Sequence, residues 1–404
     1  MRMGILIRKT LKLQVHRVVG VRQGAKGVLE ARLDRIRGRL LFCGNCGKKA
    51  KYRDRRPARR WRDLFVLTQP LVLVYRPCRV SCHTCGVRVE ALGWALPRAR
   101  VTLGLAHEVA LWSRRLSWKD ASDLFRINWK TVVAIVRHAV EWGLEHRVLK
   151  TVHEMGMDEV SRKKGHKYLT LFWDLRRKVL LWIGEDRTEA TVEAFFEWFG
   201  KRRAKSLRAV CLDMWKPYLN VVRAKASQAV CVFDRFHLVR HLNEAVDKVR
   251  REIMAKANSP WGSRLKNTRY LWITNPWNLK QEKRLQLRAL MNLNMPLARA
   301  YILKEAFHKF WDYTYKKAAE NWLDLWTGAV FATRLKPLHK IARMVENHRQ
   351  GILAWVDLRI SNGVVEGMNN KIGLVKRRCY GLRKPEYQKL AIYHCCANLP
   401  LPPF

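Results

Sequence analysis

The stretch L-R-A-V-C-L-D, residues 207–213, is apolar apart from Arg208 and ends on a carboxylate. A continuous apolar run of about four to eight residues is typical of a strand that is buried on both faces of a sheet. A helical pattern precedes it, and the apolar positions on one side of that helix are Val192, Phe195, Phe196 and Phe199. The stretch therefore predicts a buried strand with Asp213 at its carboxyl end.

Strands and helices alternate on both sides of this run. The other strands are predicted at residues 153–160, 168–173, 179–183 and 229–233. A helix that Pro217 opens lies before the last of them, so the order is three strands, helix, strand, helix, strand. This is the order of a ribonuclease-H-like fold, a mixed sheet flanked by helices in which the first and fourth strands are neighbours in the middle. We therefore expect the side chains of Asp158, in the first strand, and Asp213 to meet.

The neighbouring acids differ in how well the pattern places them. Glu159 follows Asp158 directly, and because side chains alternate along a strand, only one of the two faces the site. Asp234 ends the fifth strand, farther from the first, so it is less well placed as a primary ligand. Within the sequence D-R-F-H it could brace the site through His237. For any single acid a strand-end cap or a surface charge is the commoner explanation, and only the joint occurrence at strand ends favours a site.

The composition predicts a folded protein with a polyanionic partner. The 404 residues carry 80 Lys and Arg against 33 Asp and Glu, a formal charge of +47, and are still 48% hydrophobic. Such a charge favours nucleic acid as the partner. No apolar run approaches the roughly 18 to 20 residues of a membrane helix, and the N-terminus lacks the apolar core of a signal peptide. We therefore expect an intracellular protein, in which the ten cysteines stay reduced.

Four of these cysteines form two matched pairs, C-G-N-C-G at residues 43–47 and C-H-T-C-G at residues 82–86. Two thiolates that are two residues apart can bind one tetrahedral ion, and the glycine after each pair lets backbone amides approach the sulfurs. This spacing predicts a zinc ribbon whose zinc ion is structural, because four thiolates leave no open position for chemistry. The expected ligands are Cys43, Cys46, Cys82 and Cys85. Cys78 and His83 lie close enough in sequence to be alternative ligands.

In residues 102–146 the apolar period changes from two to about 3.6, which predicts three helices. Ser117 and Asp120 form the N-cap and third-position pair of a short second helix, and Asn128 caps the third. Three helices with a tight turn at residues 126–128 resemble a helix-turn-helix, whose last helix would enter a DNA major groove. The side chains presented there are Asn128, Trp129, Lys130 and Arg137. A plain helical spacer is the alternative, and the zinc ribbon and the overall charge favour DNA binding.

After His237 the chain is predicted to be helical to about residue 347, which indicates an all-α insertion. Six tryptophans mark this block, namely Trp261, Trp272, Trp277, Trp311, Trp322 and Trp326. They could stack on unpaired bases, although a place in the core is the commoner role. Beyond the block, the segment at residues 361–378 places Glu366 at the start of a helix that then becomes strongly basic. In a chain with so few acids, this carboxylate indicates a specific role.

Several short motifs occur together in one order along the chain. They are M-D-E at 157–159, K-G-H-K-Y at 164–168, L-D-M at 212–214, F-D-R-F-H at 233–237, N-E-A-V-D at 243–247, R-R at 250–251, S-N-G at 361–363, E-G-M-N-N-K-I at 366–372 and Y-G at 380–381. In these motifs the chain resembles a bacterial insertion-sequence transposase of the DDE class, of the ISL-three family. The resemblance covers nearly the whole length, because the family also carries an amino-terminal zinc ribbon and a helix-turn-helix. It implies a catalytic triad of Asp158, Asp213 and Glu366, with Asp234 and His237 as an accessory element.

The resemblance also implies the chemistry and the cofactors. Cutting a phosphodiester needs an activated water or 3′-hydroxyl, a stabilised leaving oxygen and neutralised charge, and two divalent ions about 3.5 to 4 Å apart supply all three. Oxygen-only ligation favours Mg²⁺, with Mn²⁺ as a substitute. Asp158 would bridge both ions, Asp213 would bind one, and Glu366 would bind the other. The basic continuation of the last helix would hold the DNA backbone through Asn369, Asn370, Lys371, Lys376, Arg377 and Arg378.

The predicted organisation is a multidomain α+β protein. A zinc-ribbon domain is predicted at residues 1–100 and a helix-turn-helix at residues 101–150. A ribonuclease-H-like mixed-sheet core is predicted at residues 151–240 and 351–398, and an all-α insertion at residues 241–350 interrupts it. The expected partners are double-stranded DNA, as terminal inverted repeats and as target, and a second copy of the chain in a homodimeric synaptic complex. The expected location is the bacterial cytoplasm, in association with the nucleoid.

Three other classes of protein fit the sequence less well than a transposase. A catalytically silent DNA-binding derivative and a zinc-ribbon regulator both leave the ordered acids unexplained. An RNA-processing nuclease on the same fold would use the same metals, and it is distinguished by its substrate, because cutting at inverted-repeat ends requires the amino-terminal modules.

Overall fold

The computed structural model describes residues 3–163, 165, 167–233, 235–255, 261–360, 363–379, 381–382 and 384–403. The chain divides into two compact units, the first formed by Met1–Leu149 with Lys371–Phe404 and the second by Lys150–Asn370. The domain limits predicted from the sequence are finer than this division and stay predictions. Residues 371–398, which those limits assign to the sheet core, group with the first unit.

The described strands of the first unit form two separate sheets. They are β1 (His16–Gln23), β2 (Leu29–Arg35), β3 (Lys51–Arg55), β4 (Arg59–Val66), β5 (Gln69–Tyr75), β6 (Cys78–Cys82) and β7 (Gly86–Val89). The larger sheet has the order β1-β2-β5-β4, and the smaller one has the order β3-β6-β7. In the larger sheet β2 and β5 are parallel, and the other neighbours are antiparallel.

An aromatic and apolar core supports the larger sheet. Leu73 is fully buried, and the rings of Trp61 and Trp94 pack edge to face with their centroids 5.3 Å apart. The Trp94 indole Nε1 donates a hydrogen bond to His16 Nδ1 at 3.2 Å. Because the removal of such apolar area from water contributes about 25 cal/mol per Å², this sheet is stabilised by a core of its own.

The smaller sheet carries the two cysteine pairs. Glycines follow the pairs at positions 47 and 86, and their φ angles of +69° and +68° lie in the left-handed region that glycine adopts without strain. A Cβ on Gly44 would lie 2.6 Å from the Val89 carbonyl oxygen, so the first loop also requires a glycine inside the pair. The glycines therefore fold each pair into a tight loop, as the sequence predicts.

In the first unit helix α1 (Met3–Thr10) precedes these strands, and helices α2 (Leu103–Ser113), α3 (Trp118–Phe125) and α4 (Trp129–His146) follow them. Both predicted caps are confirmed, because Ser117 Oγ accepts the Asp120 N–H at 3.0 Å and Asn128 Oδ1 accepts the Lys130 N–H at 2.9 Å. Between α3 and α4, Arg126 has a φ of +49°. The tight turn that separates the last two helices therefore lies where the sequence predicts it.

The sheet of the second unit decides where the acids lie. Its strands are β8 (Glu154–Lys163), β9 (Lys167–Asp174), β10 (Val179–Glu185), β11 (Ala209–Leu212) and β12 (Val230–Phe233). The connecting helices are α5 (Glu189–Phe199), α6 (Lys201–Ala204) and α7 (Lys216–Lys225). The strand order is β10-β9-β8-β11-β12, with β8 to β10 antiparallel to one another and β11 parallel to both of its neighbours. The prediction that the first and fourth strands are central neighbours is confirmed.

The rest of the described chain is helical. The helices are α8 (Arg235–Met254), α9 (Trp261–Leu265), α10 (Arg269–Ile273), α11 (Gln281–Leu293), α12 (Met295–His308), α13 (Lys316–Phe331), α14 (Lys336–Asn347), α15 (Arg349–Leu358), α16 (Gly363–Arg378) and α17 (Pro385–Cys396). Helix α15 returns to the sheet at Gly351, where an added Cβ would lie 2.4 Å from the Phe233 ring. None of the described helices is both long and apolar enough to cross a membrane.

The tryptophans of the helical block are mainly core residues. Trp272, Trp311 and Trp326 are at most 4% exposed, which confirms the core interpretation for these three. Trp322 is partly buried, whereas Trp277 is 61% exposed. The side chain of Trp261 lies outside the described part of the chain.

Candidate active site

Asp158 and Asp213 lie at the same level on neighbouring strands. Gly156 of β8 pairs with Cys211 of β11 in parallel register, and each aspartate lies two residues beyond this pair. Because alternate residues of a strand point to the same face, the two carboxylates point to the same side of the sheet. The structure therefore brings together the two acids that the strand order predicts to meet.

His237 lies between the two carboxylates. It is in the first turn of α8, close behind β12, and it is 7% exposed. Its Nε2 is 3.9 Å from Asp158 Oδ1, and its Nδ1 is 3.7 Å from Asp213 Oδ2. The imidazole thus contacts both acids from one side. Asp234, the other predicted accessory residue, lies outside the described residues.

Hydrogen bonds fix the orientation of both aspartates. The Glu159 N–H donates to Asp158 Oδ1 at 2.8 Å, and the Met214 N–H donates to Asp213 Oδ1 at 2.7 Å. Asn369 of α16 donates its Nδ2 to Asp158 Oδ2 at 2.6 Å. Its Oδ1 is buried and accepts no hydrogen bond from the described residues, so an acceptor oxygen without a partner lies beside the carboxylate. The prediction that Asn369 holds the DNA backbone stays a prediction, and in the structure its side chain contacts the acid site.

A partly buried ion pair borders Asp213. Arg187 Nε lies 3.0 Å from Glu159 Oε1, and another nitrogen of the same guanidinium lies 3.5 Å from Asp213 Oδ2. The guanidinium carbon is 4.6 Å from the ring centroid of Trp215, which holds it in place. Arg187 therefore brings a positive charge to two acids at once.

The pKa shifts in the site have one dominant cause. Burial raises the pKa of the Asp158 carboxyl, although the Glu159 N–H, His237 and Asn369 oppose the shift, and the charge of Asp213 adds to it. Burial also raises the pKa of Glu159, against the effect of Arg187. A raised carboxyl pKa means that the ionised form lacks a full counter-charge, which a bound cation would supply. The Asp158 carboxylate is therefore a suitable ligand for a divalent ion.

Glu366 is in the first turn of α16 and is exposed. It precedes Asn369 by three residues, so the two side chains lie on the same side of the helix. In the described part of the chain, the oxygen atoms of Asp158, Asp213 and Glu366 do not all lie within 4.8 Å of one another. The structure thus joins the two aspartates and places the glutamate on the helix that contacts one of them.

The four predicted cysteines of the first unit converge. The sulfurs of Cys43, Cys46, Cys82 and Cys85 all lie within 4.8 Å of one another. A tetrahedral zinc ion with Zn–S bonds of about 2.3 Å separates its sulfurs by roughly 3.8 Å, so this cluster could bind zinc. The backbone N–H groups of Cys85 and Thr84 lower the pKa of Cys82 to about 7. This shift favours the thiolate, the form that binds a metal.

The two alternative ligands are not part of this cluster. Cys78 is buried, and its backbone N–H donates to Glu90 Oε1 at 2.6 Å. Burial and the neighbouring Glu90 carboxylate raise the pKa of the Cys78 thiol, which disfavours the thiolate. His83 is exposed. Among the described residues the four-cysteine set is therefore the tight metal-ligand cluster.

The predicted groove-facing residues have mixed surroundings. Trp129 is 43% exposed and Lys130 is exposed, at the start of α4, where Asn128 forms the cap. Arg137, two turns further along, forms an ion pair with Glu386 of α17. The start of α4 thus presents its side chains to solvent, whereas the Arg137 side chain is paired with a residue of α17.

The basic residues of α16 also differ from one another. Asn370, Lys371 and Arg377 are exposed, and Lys376 is partly buried, which lowers the pKa of its amine. The Arg378 guanidinium donates to the carbonyl oxygens of Arg115 at 2.6 Å and Arg114 at 3.2 Å. The prediction that Arg378 holds the DNA backbone stays a prediction, and in the structure its guanidinium binds the carbonyl groups that follow α2.

Two neighbours of the aspartates were missed from the sequence. Asn369 was detectable, because residues three apart on a helix share a side, and a residue on the same side as Glu366 is a candidate for the same site. Arg187 gave no local signal, since it lies in a loop after β10 and reaches Glu159 only through the tertiary fold. The charge balance of the site therefore could not be obtained from the strand pattern.

Comparison with known proteins identifies the family of the chain. Residues 155–392 match the ISL3-type DDE transposase family, described as "Transposase", and residues 90–140 match the "Helix-turn-helix domain of transposase family ISL3". The transposase for insertion sequence element IS1001 of Bordetella parapertussis is 29% identical over 358 residues, 88% of each chain. The transposase for insertion sequence element IS1557 of Mycobacterium tuberculosis is 31% identical over 374 residues, 86% of this chain and 84% of the relative. Because the first match spans more than half of the sequence, the chain belongs to the ISL3 family of transposases.

Proposed function

We propose that this chain is the transposase of an insertion sequence, which binds the terminal inverted repeats of its element and carries out DNA strand cleavage and strand transfer there. The reactions are metal-dependent phosphodiester hydrolysis and transesterification. The observation that carries the proposal is the pair Asp158 and Asp213, level on parallel neighbouring strands with His237 between them. Membership of the family supports it, because the similar proteins are named as transposases of insertion sequences.

The sheet of the second unit is the catalytic core, and its fold is ribonuclease-H-like. The strand order β10-β9-β8-β11-β12 supports this assignment, as do the antiparallel first three strands and the parallel fourth and fifth. In such a sheet the central pair of strands carries the first two acids of the site. The third acid comes from a helix late in the chain, and Glu366 in α16 fits that position.

Asp158, Asp213 and Glu366 would hold two Mg²⁺ ions, with Mn²⁺ as a substitute. Carboxylate oxygens are the ligands that these hard cations prefer. The raised pKa of Asp158 and the unused Oδ1 of Asn369 both fit a site that gains a cation. When bound, two such ions activate the attacking oxygen, stabilise the leaving oxygen and neutralise the phosphate.

The surrounding residues hold the carboxylates in position. Asn369 fixes Asp158 Oδ2 through its Nδ2, so that the carboxylate keeps one orientation. His237 contacts one oxygen of each aspartate and so helps to fix the distance between the two carboxylates. Arg187 supplies positive charge beside Asp213, which reduces the repulsion between acids that lie close together. Outer contacts of this kind commonly change metal affinity or activity by about 10- to 100-fold.

Recognition of the DNA ends belongs to the first unit. The exposed start of α4, with Trp129 and Lys130, is the part that would enter a major groove. A structural zinc ion in the four-cysteine cluster would hold the smaller sheet together. Exposed Lys371 and Arg377 on α16 would contact phosphates, which carry no sequence information but fix the position of the duplex.

Two copies of the chain would act together, because the two ends of an element have to be joined in one complex. Light scattering of the protein with paired end duplexes tests this part. A complex with the mass of two chains is the expected result, and a single chain bound to both ends would contradict it.

The test of the proposed activity is cleavage of a labelled duplex that carries the element's own terminal repeat. We expect cutting at the repeat boundary in Mg²⁺, none in EDTA, and a loss of roughly 1,000-fold or more for Asp213→Asn, equivalent to about 4 kcal/mol, while DNA binding persists. Tight, specific binding without cleavage in Mg²⁺ or Mn²⁺ would overturn the catalytic part. That result would favour a catalytically silent DNA-binding derivative.

A further inference from the structure

A second site, which is basic, lies at the far end of α8, the helix that begins beside the acids. It is an open pocket of about 650 Å³. Its described lining includes four cations and no carboxylate, and the cations are Arg250, Arg251, Lys266 and Arg269. Tyr270, which is 70% exposed, also lines it. This concentration of charge in a concave surface is not explained by the acid site.

One buried acid organises the arginines of this pocket. Asp247 is 6% exposed, and its Oδ1 accepts two hydrogen bonds from Arg250, at 2.9 and 2.7 Å. Its Oδ2 lies 3.3 Å from Arg251 and 3.7 Å from Arg269. A single carboxylate cannot neutralise three guanidinium groups, so the cluster keeps a positive charge while its geometry is fixed. The motifs N-E-A-V-D and R-R, which the proposed active site does not use, supply the centre of this arrangement.

Two of these arginines remain available to a ligand. Arg251 and Arg269 are 65% and 53% exposed, respectively, although each contacts Asp247. Arg250 has the opposite character, because it is buried and also donates to the Leu265 carbonyl at 3.1 Å. The buried Arg250 therefore stabilises the fold. The exposed Arg251 and Arg269 are already positioned before an anion binds. A guanidinium that is already positioned loses less conformational entropy when it binds a phosphate.

The pocket lies in line with the acid site along α8. From His237 to Arg251 the helix makes about four turns, a distance of roughly 21 Å, and returns to nearly the same side. Lys248 lies on that side as well and is exposed. Along the axis of a duplex the phosphates of each strand recur about every 3.4 Å, so for a duplex that runs along α8 the pocket is roughly six nucleotides from the acids. A strand whose cleaved phosphate is at Asp158 can therefore reach it.

We infer that the pocket formed by Arg251, Lys266 and Arg269 binds phosphates of the DNA strand that passes through the acid site. This inference rests on the proposed function, which supplies both the DNA ligand and its path through the acid site. The pocket binds the strand at a distance from the acids. It adds affinity without recognising the base sequence, as contacts to phosphate do. Asp247 is a positioning residue here, because it acts through the arginines.

The test uses the full chain and a duplex that carries the element's terminal repeat, without Mg²⁺, across a series of salt concentrations. In the double variant Arg251→Gln/Arg269→Gln, we expect the slope of log affinity against log salt to fall by about 0.9 for each phosphate that the protein no longer neutralises. The control is Lys201→Gln/Arg202→Gln, which removes the same charge from exposed residues that precede β11, at the end of the sheet opposite Asp213. Its slope should stay close to that of the wild type.

A charge-retaining variant separates binding from folding. Arg251→Lys/Arg269→Lys should keep most of the salt slope, and circular dichroism should show unchanged melting for both double variants. The inference is overturned if the Gln variant has the slope of the wild type or of the control, or if the Lys variant loses slope together with stability. A duplex of scrambled sequence gives a second arm. Loss of slope with both duplexes assigns the pocket to any DNA, and loss with the repeat alone assigns it to the element's ends.

The result is independent of the cleavage assay. Asp213→Asn should abolish cutting on the same duplex and leave the salt slope unchanged, because it leaves every phosphate-binding cation in place. Failure of the proposed activity would therefore appear in the cleavage of the wild type, whereas failure of this inference would appear in the slope of the arginine variant.

Discussion

In the cysteine cluster of the first unit, four sulfurs lie within 4.8 Å of one another, whereas the acid site of the second unit unites two aspartates and leaves Glu366 exposed. The chemistry of the ligands explains the difference. Thiols can be neutral, so a fold can gather four of them before any metal arrives. Carboxylates ionise at neutral pH and repel one another, so three of them gather only when a cation or its substitute is present.

The acid site already contains partial substitutes for that cation. Arg187 lies beside Asp213, and Asn369 donates to Asp158. These contacts stabilise two carboxylates but leave the pKa of Asp158 raised. The comparison therefore separates a cysteine cluster that is closed by its own fold from an acid site in which the fold unites two of the three proposed ligands.

The largest expected effect follows from removing a ligand of the closed site. Cys82→Ser should abolish stoichiometric zinc binding, and with it an apparent binding free energy of about 10 to 16 kcal/mol that stabilises such folds. Zinc content after dialysis and the melting temperature measure the effect. Cys78→Ser is the matched control, because Cys78 is buried nearby but is not in the cluster. Loss of zinc in the control and its retention in Cys82→Ser would contradict the cluster.

The next effect tests whether the acid site is incomplete before DNA binds. Glu366→Gln should lower cleavage by roughly 1,000-fold, about 4 kcal/mol, because it removes one ligand of the reacting assembly. Binding of Tb³⁺ to the DNA-free protein, followed by luminescence, should change little in this variant, since Glu366 is exposed. Asp213→Asn should weaken that binding at least about tenfold.

The control for Glu366 is Glu252→Gln, which removes the same charge from an exposed position of α8. It should change neither cleavage nor Tb³⁺ binding. If Glu366→Gln weakens Tb³⁺ binding as strongly as Asp213→Asn does, the glutamate already belongs to a closed site, and the contrast between the two regions fails.

The sequence was sufficient for the parts of the molecule that depend on local patterns. The strand predicted at residues 153–160 is Glu154–Lys163, and the run at 207–212 contains Ala209–Leu212, so alternation and apolar runs located the central strands within a few residues. The caps at Ser117 and Asn128 were predictable because a cap is a contact between residues two or three positions apart. The four cysteines were predictable because two-residue spacing fixes each pair.

Contacts between distant segments were not predictable in the same way. The hydrogen bond from Asn369 to Asp158 joins residues from opposite ends of the second unit. Neither residue type predicts this contact. The same holds for Arg378, whose partners are backbone carbonyls that any sequence would supply. Patterns therefore located the acids, whereas their partners were set by how the elements pack.

Asn369 gives a smaller effect that sharpens the boundary of the acid site. Asn369→Ala should lower cleavage by about 10- to 100-fold with little change in DNA affinity, because Asp158 loses the donor that orients it. Asn370→Ala is the matched control. Because Asn370 is exposed, this variant should leave the cleavage rate of bound DNA unchanged. The role is refuted if Asn369→Ala weakens binding and leaves the cleavage rate of bound DNA unchanged.

The last effect, which is absent at neutral pH, concerns the loss of stability of the first unit in acid, which would otherwise be attributed wholly to the cysteines. Burial, together with the charges of Arg114 and Arg378, lowers the pKa of His394 to about 3, and neither ring nitrogen has a hydrogen-bond partner among the described residues. Since the folded-state pKa is below the ordinary value of 6.5, the histidine leaves stability unchanged above pH 6.5. As the pH falls below that value, the unfolded chain binds a proton that the folded chain excludes, and stability is lost.

At pH 5 this loss is about 2 kcal/mol, and His394→Phe should remove it. Urea unfolding at pH 7.5 and pH 5 measures the difference for each protein. Cys82→Ser should keep the histidine-dependent part of the loss, because that part does not involve the metal. If His394→Phe is as sensitive to acid as the wild type, protonation of the cysteine cluster accounts for the whole effect, and the closed site is also the acid-labile one.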